Sequence, residues 1–399
     1  MSEHTETGAA VLRTTPLHRV HTALGASFTD FGGWQMPLRY TSDLAEHHAV
    51  RRSAGIFDLS HMGEVKVAGP EAGAALDHAL VGALSAVAVG RARYTMIVSP
   101  SGGVIDDLIV YHVGDEEYLV VPNAGNRERV AAELVARCAG FDCTVEDISL
   151  RTCLIAVQGP RAQEVLVGVV ESGAAMPGAL RPLEGSEEED CGPDVLCGPT
   201  LLERLRFYAA VRATAAGHSV LLARTGYTGE DGFELYGPHQ FIILQWDKLV
   251  TSGQCKPCGL GCRDTLRFEV GLPLYGNELS DEISPIMAGL GMFVKLDKTE
   301  FIGREALLHQ KAEGVTKRLR GIELYDNAVP RNSYNILRNG VIVGQVTTGY
   351  RLISTDKSCA VALVDSSLNL GDHVEIQIRK KTFPGIIVKK KFYDKIRIG

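Results

Sequence analysis

No apolar run in these 399 residues approaches the roughly 20 that a membrane-spanning helix needs. The opening stretch MSEHTETGAAVLRTTPLH has neither the apolar block of a secretory signal nor an Arg-rich, acid-free transit pattern. No membrane association is therefore expected, and the cytoplasm is the expected compartment. Cysteine is scarce and unpatterned: nine residues at irregular spacing give no disulfide framework, so reduced thiols are expected. The tightest group, Cys255, Cys258 and Cys262, lacks the second CxxC or close His pair that would complete four zinc ligands, so no metal is expected. A strand-led GxGxxG is missing too. In the nearest candidate, GLGCRD at 259–264, Asp264 stands in the third glycine's place, which argues against a flavin or dinucleotide. Lysine is almost absent from the first half, where only Lys66 precedes Lys248, and the formal charge of −7 argues against a nucleic-acid partner.

What is present suits a globular protein of two or three domains: 45% of residues are hydrophobic and 22% charged. Residues 42–55 read as a helix with Ser42 as N-cap, Asp43 and Glu46 in the first turn, Arg51 and Arg52 in the last, and Gly55 as a left-handed stop. Further helices are expected at 71–80 and 126–138. Strands are expected at 63–67, 94–98, 104–113, 118–121, 153–158 and 219–223. This order of hairpins and helices favours an α+β architecture over a doubly wound sheet. The acidic segment 183–199 reads as an exposed loop, and short strands with turn signals from about 294 onward suggest a separate small β domain.

Three segments could carry chemistry. GGVIDDLIVY at 102–111 puts Asp106 and Asp107 inside a run otherwise suited to a buried strand, and a desolvated carboxylate is costly without a partner. Either one of the pair meets a ligand, or both hydrogen-bond loop amides near the strand's entrance. In RTGYTGEDGFELY at 224–236, a glycine-rich turn feeds a strand on which Glu234 and Tyr236 share a face. A carboxylate beside an aromatic suits a planar heterocycle with adjacent N–H donors, and an Arg–Glu pair at a sheet edge is the alternative. GLGCRDTLRFEVG at 259–271 turns into a helix with Arg263 and Arg267 one turn apart, like charges that carboxylates or an anionic ligand would relieve. His61 reads equally as a hydrogen-bonded core residue or as a site-lining one. The basic run Lys389, Lys390, Lys391, Lys395 and Arg397, with Asp394 the only acid among them, is a solvated face or a contact for an anion or acidic partner.

The blocks FGGWQMPLRY (31–40), FDLSHMGE (57–64), GGVIDDLIVY (102–111), RTGYTGEDGFEL (224–235), CGLGCRDTLRFEVGLPLYG (258–276) and FIGREAL (301–307), in this order, closely resemble the aminomethyltransferase of the glycine cleavage system, its T-protein. The resemblance implies an α+β, three-domain cloverleaf around a central folate site, ending in a small β-barrel-like domain. It suggests a discontinuous first domain (1–55 plus about 145–290), a second at about 56–144 and a third at about 294–399. It also implies tetrahydrofolate as co-substrate and, as partner, an H-protein whose lipoyl arm carries the aminomethyl group; methylene-tetrahydrofolate, ammonia and the dihydrolipoyl arm would be the products. By the same resemblance Asp107 is the catalytic carboxylate, Glu234 the pterin-binding glutamate and Arg263 a folate-binding arginine. Tyr94, Tyr111 and Tyr227 match lining positions of the folate site, and Arg397, in the family's basic ending, is expected to bind the folate as well. The chain departs from the family pattern in TTGYRLISTDKS (347–358), in KKKFYDKIRIG, where Lys391 replaces a proline, and at Cys262, where alanine is usual. Folate-binding demethylases would need a flavin module that is missing here. The related iron–sulfur assembly protein would need a cysteine loop where this chain has Thr225 and Gly226.

Overall fold

The computed structural model describes residues 11–182 and 194–394. Its strands form three larger assemblies. The first is an eight-stranded sheet in the order Val195–Cys197, Val170–Ala174, Ala210–Ala215, His218–Ala223, Gly232–Gly237, Cys153–Gln158, Gly55–Asp58 and Lys256–Pro257, antiparallel except for the last pair. The second is a five-stranded antiparallel sheet: Ala92–Val98, Val104–Gly114, Glu117–Val121, Val65–Ala68 and Thr144–Asp147. Six strands between Lys317 and Val388 close into a barrel. A hairpin, Ser27–Phe31 with Trp34–Arg39, stands apart. The architecture is the expected α+β one with a C-terminal barrel. Among the described residues no helix is long and apolar enough to cross a membrane.

Local sequence explains the helix that leads into the first sheet. Ser42 accepts from the Ala45 N–H at 3.2 Å and opens the helix Asp43–Arg52, with acids at its start and arginines at its end. Gly55 does not stop it as expected. Ser53 is the C-cap, and Gly55 begins a strand at a point where a Cβ would meet Val50 at 2.5 Å and Cys258 at 2.7 Å. The cysteine reading also needs a correction: Cys197 is disulfide-bonded, whereas seven other described cysteines are free. Its neighbourhood is the acidic segment, residues 183–193 of which lie outside the described residues.

The barrel meets the rest of the molecule through polar side chains of 347–358, the segment that departs from the family pattern. Thr347 and Thr348 hydroxyls donate to Glu278 Oε1 at 2.6 and 2.7 Å, and Tyr350 donates to Asp264. Ser354 gives Glu269 two hydrogen bonds, from its N–H at 2.8 Å and its hydroxyl at 2.7 Å. Asp264 and Glu269 belong to the helix Leu260–Glu269. Burial opposes ionisation of the Glu269 carboxyl, but His47 at 3.3 Å and the Ser354 bonds outweigh that and bring it down to about 2. A carboxyl depressed in the folded state stabilises above its unfolded value of about 4.3 and loses that contribution as pH falls toward the folded one. Thermal midpoints are thus expected to drop between about pH 4.5 and 2 in the parent and to drop less in Glu269→Gln. Glu269→Ala, which also removes one of the two carboxylates on the buried Arg51 guanidinium, at 2.9 Å, and leaves Glu230 at 3.1 Å, is expected to cost about 1–3 kcal/mol by chemical denaturation.

Candidate active site

A cavity of about 730 Å³ lies between the two open sheets, the hairpin, the Leu260–Glu269 helix and the edge of the barrel. Asp107 reaches it from the Val104–Gly114 strand. Alternation puts Asp106 on the other face, fully buried, so each sequence reading applies to one member of the pair. Asp106 takes loop bonds: the Asn123 N–H at 2.8 Å, Asn123 Nδ2 at 2.9 Å and Asn126 Nδ2 at 2.8 Å. Asp107 accepts from the Tyr94 hydroxyl and from Asn123 Nδ2, both at 3.0 Å, and lines the cavity. Burial pushes both carboxyls above the ordinary aspartate range, and the like charge of Asp107 pushes Asp106 further. Asn123 therefore holds both acids with one amide. Sequence reasoning missed it. It sits in PNAGN at 122–126, whose residue types signal only a turn.

On the facing sheet, Glu234 lies on a central strand, not at an edge, and has no arginine partner among the described residues. Its Oε2 accepts three hydroxyls: Thr225 at 2.6 Å, Tyr111 at 3.1 Å and Tyr236 at 3.1 Å. Its Oε1 accepts no hydrogen bond among the described residues, and the residue borders the cavity. Tyr111 does not line the cavity. It is fully buried behind Glu234, because its strand neighbours fill the seam between the sheets, and its hydroxyl fixes the carboxylate instead of meeting a ligand. Tyr94 and Tyr227 do line it. The ring of Tyr94 rests edge-on against Phe293 with centroids 5.0 Å apart, and that of Tyr227 lies under the Arg263 guanidinium at 4.7 Å.

The two arginines of the helix separate. Arg267 is 1% exposed and neutralised within the protein by Asp264 at 2.6 Å and Glu278 at 2.7 Å, although it borders the cavity. Arg263 has no carboxylate partner within the protein among the described residues. Burial lowers its affinity for its proton, and its Nη1 is buried without a hydrogen bond. His61, also on the wall, has an unpartnered Nδ1, and burial pulls its imidazole down to about 4, so it is neutral at physiological pH. Unpartnered polar atoms on a cavity wall are what a polar ligand satisfies. Arg397 lies outside the described residues. Lys390, nearby in sequence, is committed to the Ala288 carbonyl and so is not part of a solvated face.

Glu46, Cys258 and Cys262 place their ligand atoms within 4.8 Å of one another. The carboxylate is already committed, however. It accepts the N–H groups of Tyr40 at 2.8 Å, Thr41 at 2.9 Å and Gly259 at 2.8 Å, and burial pushes the Cys258 thiol well up. Less than stoichiometric zinc is expected by elemental analysis of purified protein, and Cys255→Ser is expected to hold activity within about twofold. About one zinc per chain, lost on Cys258→Ser, would be the opposite result.

Two carboxylates on separate sheets and an arginine without a carboxylate partner line one mostly apolar cavity in an α+β fold with an appended barrel, an arrangement suited to a polar heterocyclic ligand. Comparison with known proteins narrows this. The GCVT N-terminal domain model matches residues 17–181 and 195–298, and the glycine cleavage T-protein C-terminal barrel domain model matches 317–394. An aminomethyltransferase of Cutibacterium acnes is 45% identical over 388 residues, covering 96% of this chain and 99% of the relative. One from Lysinibacillus sphaericus is 41% identical over 388 residues, covering 96% and 98%. The crystal structure of glycine cleavage system aminomethyltransferase T from Bartonella henselae superposes with a TM-score of 0.84 at 31% identity, covering 96% of this chain and 99% of that one. The chain belongs to the glycine cleavage T-protein family of aminomethyltransferases.

Proposed function

We propose that this protein moves an aminomethyl group from the lipoyl arm of an H-protein to tetrahydrofolate, releasing ammonia, methylene-tetrahydrofolate and the dihydrolipoyl arm. The observation that carries the reading is the shared cavity: Asp107 on one sheet faces Glu234 on the other, with Arg263 alongside. In the net reaction the methylene carbon loses its bonds to sulfur and to the amino nitrogen and gains bonds to two folate nitrogens. The two protons of those nitrogens end on ammonia and on the thiol. A cationic, iminium-like carbon arises on the way, and we assign Asp107 the role of stabilising it. A fixed charge in a water-poor site does this at little reorganisation cost, since Tyr94 and Asn123 already hold the carboxylate.

Glu234 is assigned the pterin. Three hydroxyls anchor Oε2 and leave Oε1 to accept from the heterocycle's N–H edge. We assign Arg263, through Nη1, a carbonyl or carboxylate of the same ligand. Tyr94 and Tyr227 wall the cavity, and Tyr111 acts through Glu234. We read the three strand assemblies as three domains, with the borders of the second a few residues later than the sequence suggests because Gly55–Asp58 belongs to the first sheet and Thr144–Asp147 to the second, place the protein in the cytoplasm and infer no flavin. Ammonia release from aminomethylated H-protein, measured with and without tetrahydrofolate, tests the reading. Release that does not depend on tetrahydrofolate, or no release, would refute it.

A further inference from the structure

Among the residues lining the cavity only Tyr208 has a left-handed backbone, with φ 58°. A bulky side chain rarely adopts that conformation, and where one does the surrounding structure must hold it there. Hydrogen bonds on both sides do so. The Tyr208 N–H donates to the Arg224 carbonyl at 2.9 Å, and its carbonyl accepts the Ala92 N–H at 2.9 Å. The next residues continue the stitch, with Arg224 N–H to the Ala209 carbonyl and Ala210 N–H to the Gly90 carbonyl, each at 2.9 Å. Ala92 opens the strand that carries Tyr94, the partner of Asp107, and Arg224 opens the segment that leads to Glu234. Tyr208 therefore sits where the sheet holding one carboxylate is joined to the sheet holding the other.

Its ring belongs to the same place. Burial pushes the hydroxyl up to about 12, and Glu234 and Asp107 both add to that push, so the ring lies within electrostatic reach of both. The hydroxyl makes no hydrogen bond among the described residues, so hydroxyl and aromatic face are both open to a ligand, and Tyr208→Phe separates the two.

We propose that Tyr208 is a positioning residue for the transfer, its left-handed backbone fixing the separation of Glu234 from Asp107 and its ring forming the wall against which the planar heterocycle lies. The proposal rests on the folate reading above. Three full-length variants test it, each assayed for tetrahydrofolate affinity by calorimetry, for kcat at saturating folate, and for thermal midpoint.

Tyr208→Phe keeps ring and backbone and is expected to match the parent within about twofold in affinity and kcat. Tyr208→Gly accepts the left-handed backbone but removes the ring. It is expected to weaken folate about tenfold, with kcat at saturation within about threefold and no loss of thermal midpoint. Tyr208→Val removes the ring and resists the backbone. It is expected to lose a further tenfold or so in kcat relative to the glycine variant. If it fails to fold, Tyr208→Ala takes its place, with a smaller loss in the same direction.

Unchanged folate affinity in Tyr208→Gly would overturn the ring's role, and equal kcat in the glycine and valine (or alanine) variants would overturn the backbone's. A merely structural residue would lower the thermal midpoint in the glycine variant without separating affinity from kcat. A parent protein that binds no tetrahydrofolate would refute the folate reading itself, which is a different result from any of these.

Discussion

Asp107→Asn should cut turnover by at least about a hundredfold while leaving the fold and tetrahydrofolate affinity nearly unchanged. The amide is isosteric and its oxygen can still accept from Tyr94, although its NH₂ then meets the Asn123 amide that donates to the carboxylate in the parent. What it loses is the charge that faces the developing cation, an interaction that counts in the transition state and little in the ground state. Asp106→Asn should be milder on rate, because that carboxyl is spent on Asn123 and Asn126 and does not face the cavity. Steady-state assays with aminomethylated H-protein rank the two, and the reverse order would refute the assignment of Asp107. The same geometry gives a pH dependence. Burial raises the Asp107 carboxyl, so its acid limb, where protonation removes the charge, should lie above the ordinary aspartate range of about 4. The limb should be absent from the residual activity of Asp107→Asn.

The second large effect belongs to Glu234→Gln, which should weaken tetrahydrofolate by about 1–3 kcal/mol with a smaller change in kcat at saturation. The loss has two sources. The amide's NH₂ would face either the heterocycle's own donors or the three hydroxyls now bonded to Oε2, and neither arrangement satisfies every donor. Equilibrium binding measures this directly, and an unchanged dissociation constant would sink the pterin assignment.

Much of this was legible in residue order. The strand through Asp106 and Asp107, the Ser42-capped helix and the split between Glu234 and its hydrophobic neighbours follow from period-2 and 3.6 patterning, which is local. Asn123 and Tyr208 were not legible, because what makes them matter is contact with residues distant in sequence. Asn123 meets Asp107 across 16 positions, and Tyr208 joins Ala92 to Arg224. Tyr111 shows the same limit from the other side: alternation gives its face, but only the packing of one sheet on another decides whether that face meets a ligand or Glu234. The two arginines of the site helix looked alike, although one partner of Arg267, Asp264, lies only three residues before it; its other partner, Glu278, comes from beyond the helix and was not legible.

The junction between barrel and site helix bears on how the protein could be recombined. The barrel's hydroxyls at Thr347, Thr348, Tyr350 and Ser354 all land on acids, namely Glu278, Asp264 and Glu269. Donor and acceptor thus form a matched set across a domain border. A barrel transplanted from a relative with a different sequence at 347–358 would leave those three acids with only their partners outside the barrel, Arg267 for Asp264 and Glu278, and Arg51 and His47 for Glu269. Such a chimera is expected to recover only when the acids are exchanged together with the barrel, which makes the unit of exchange 258–394 and not the barrel alone.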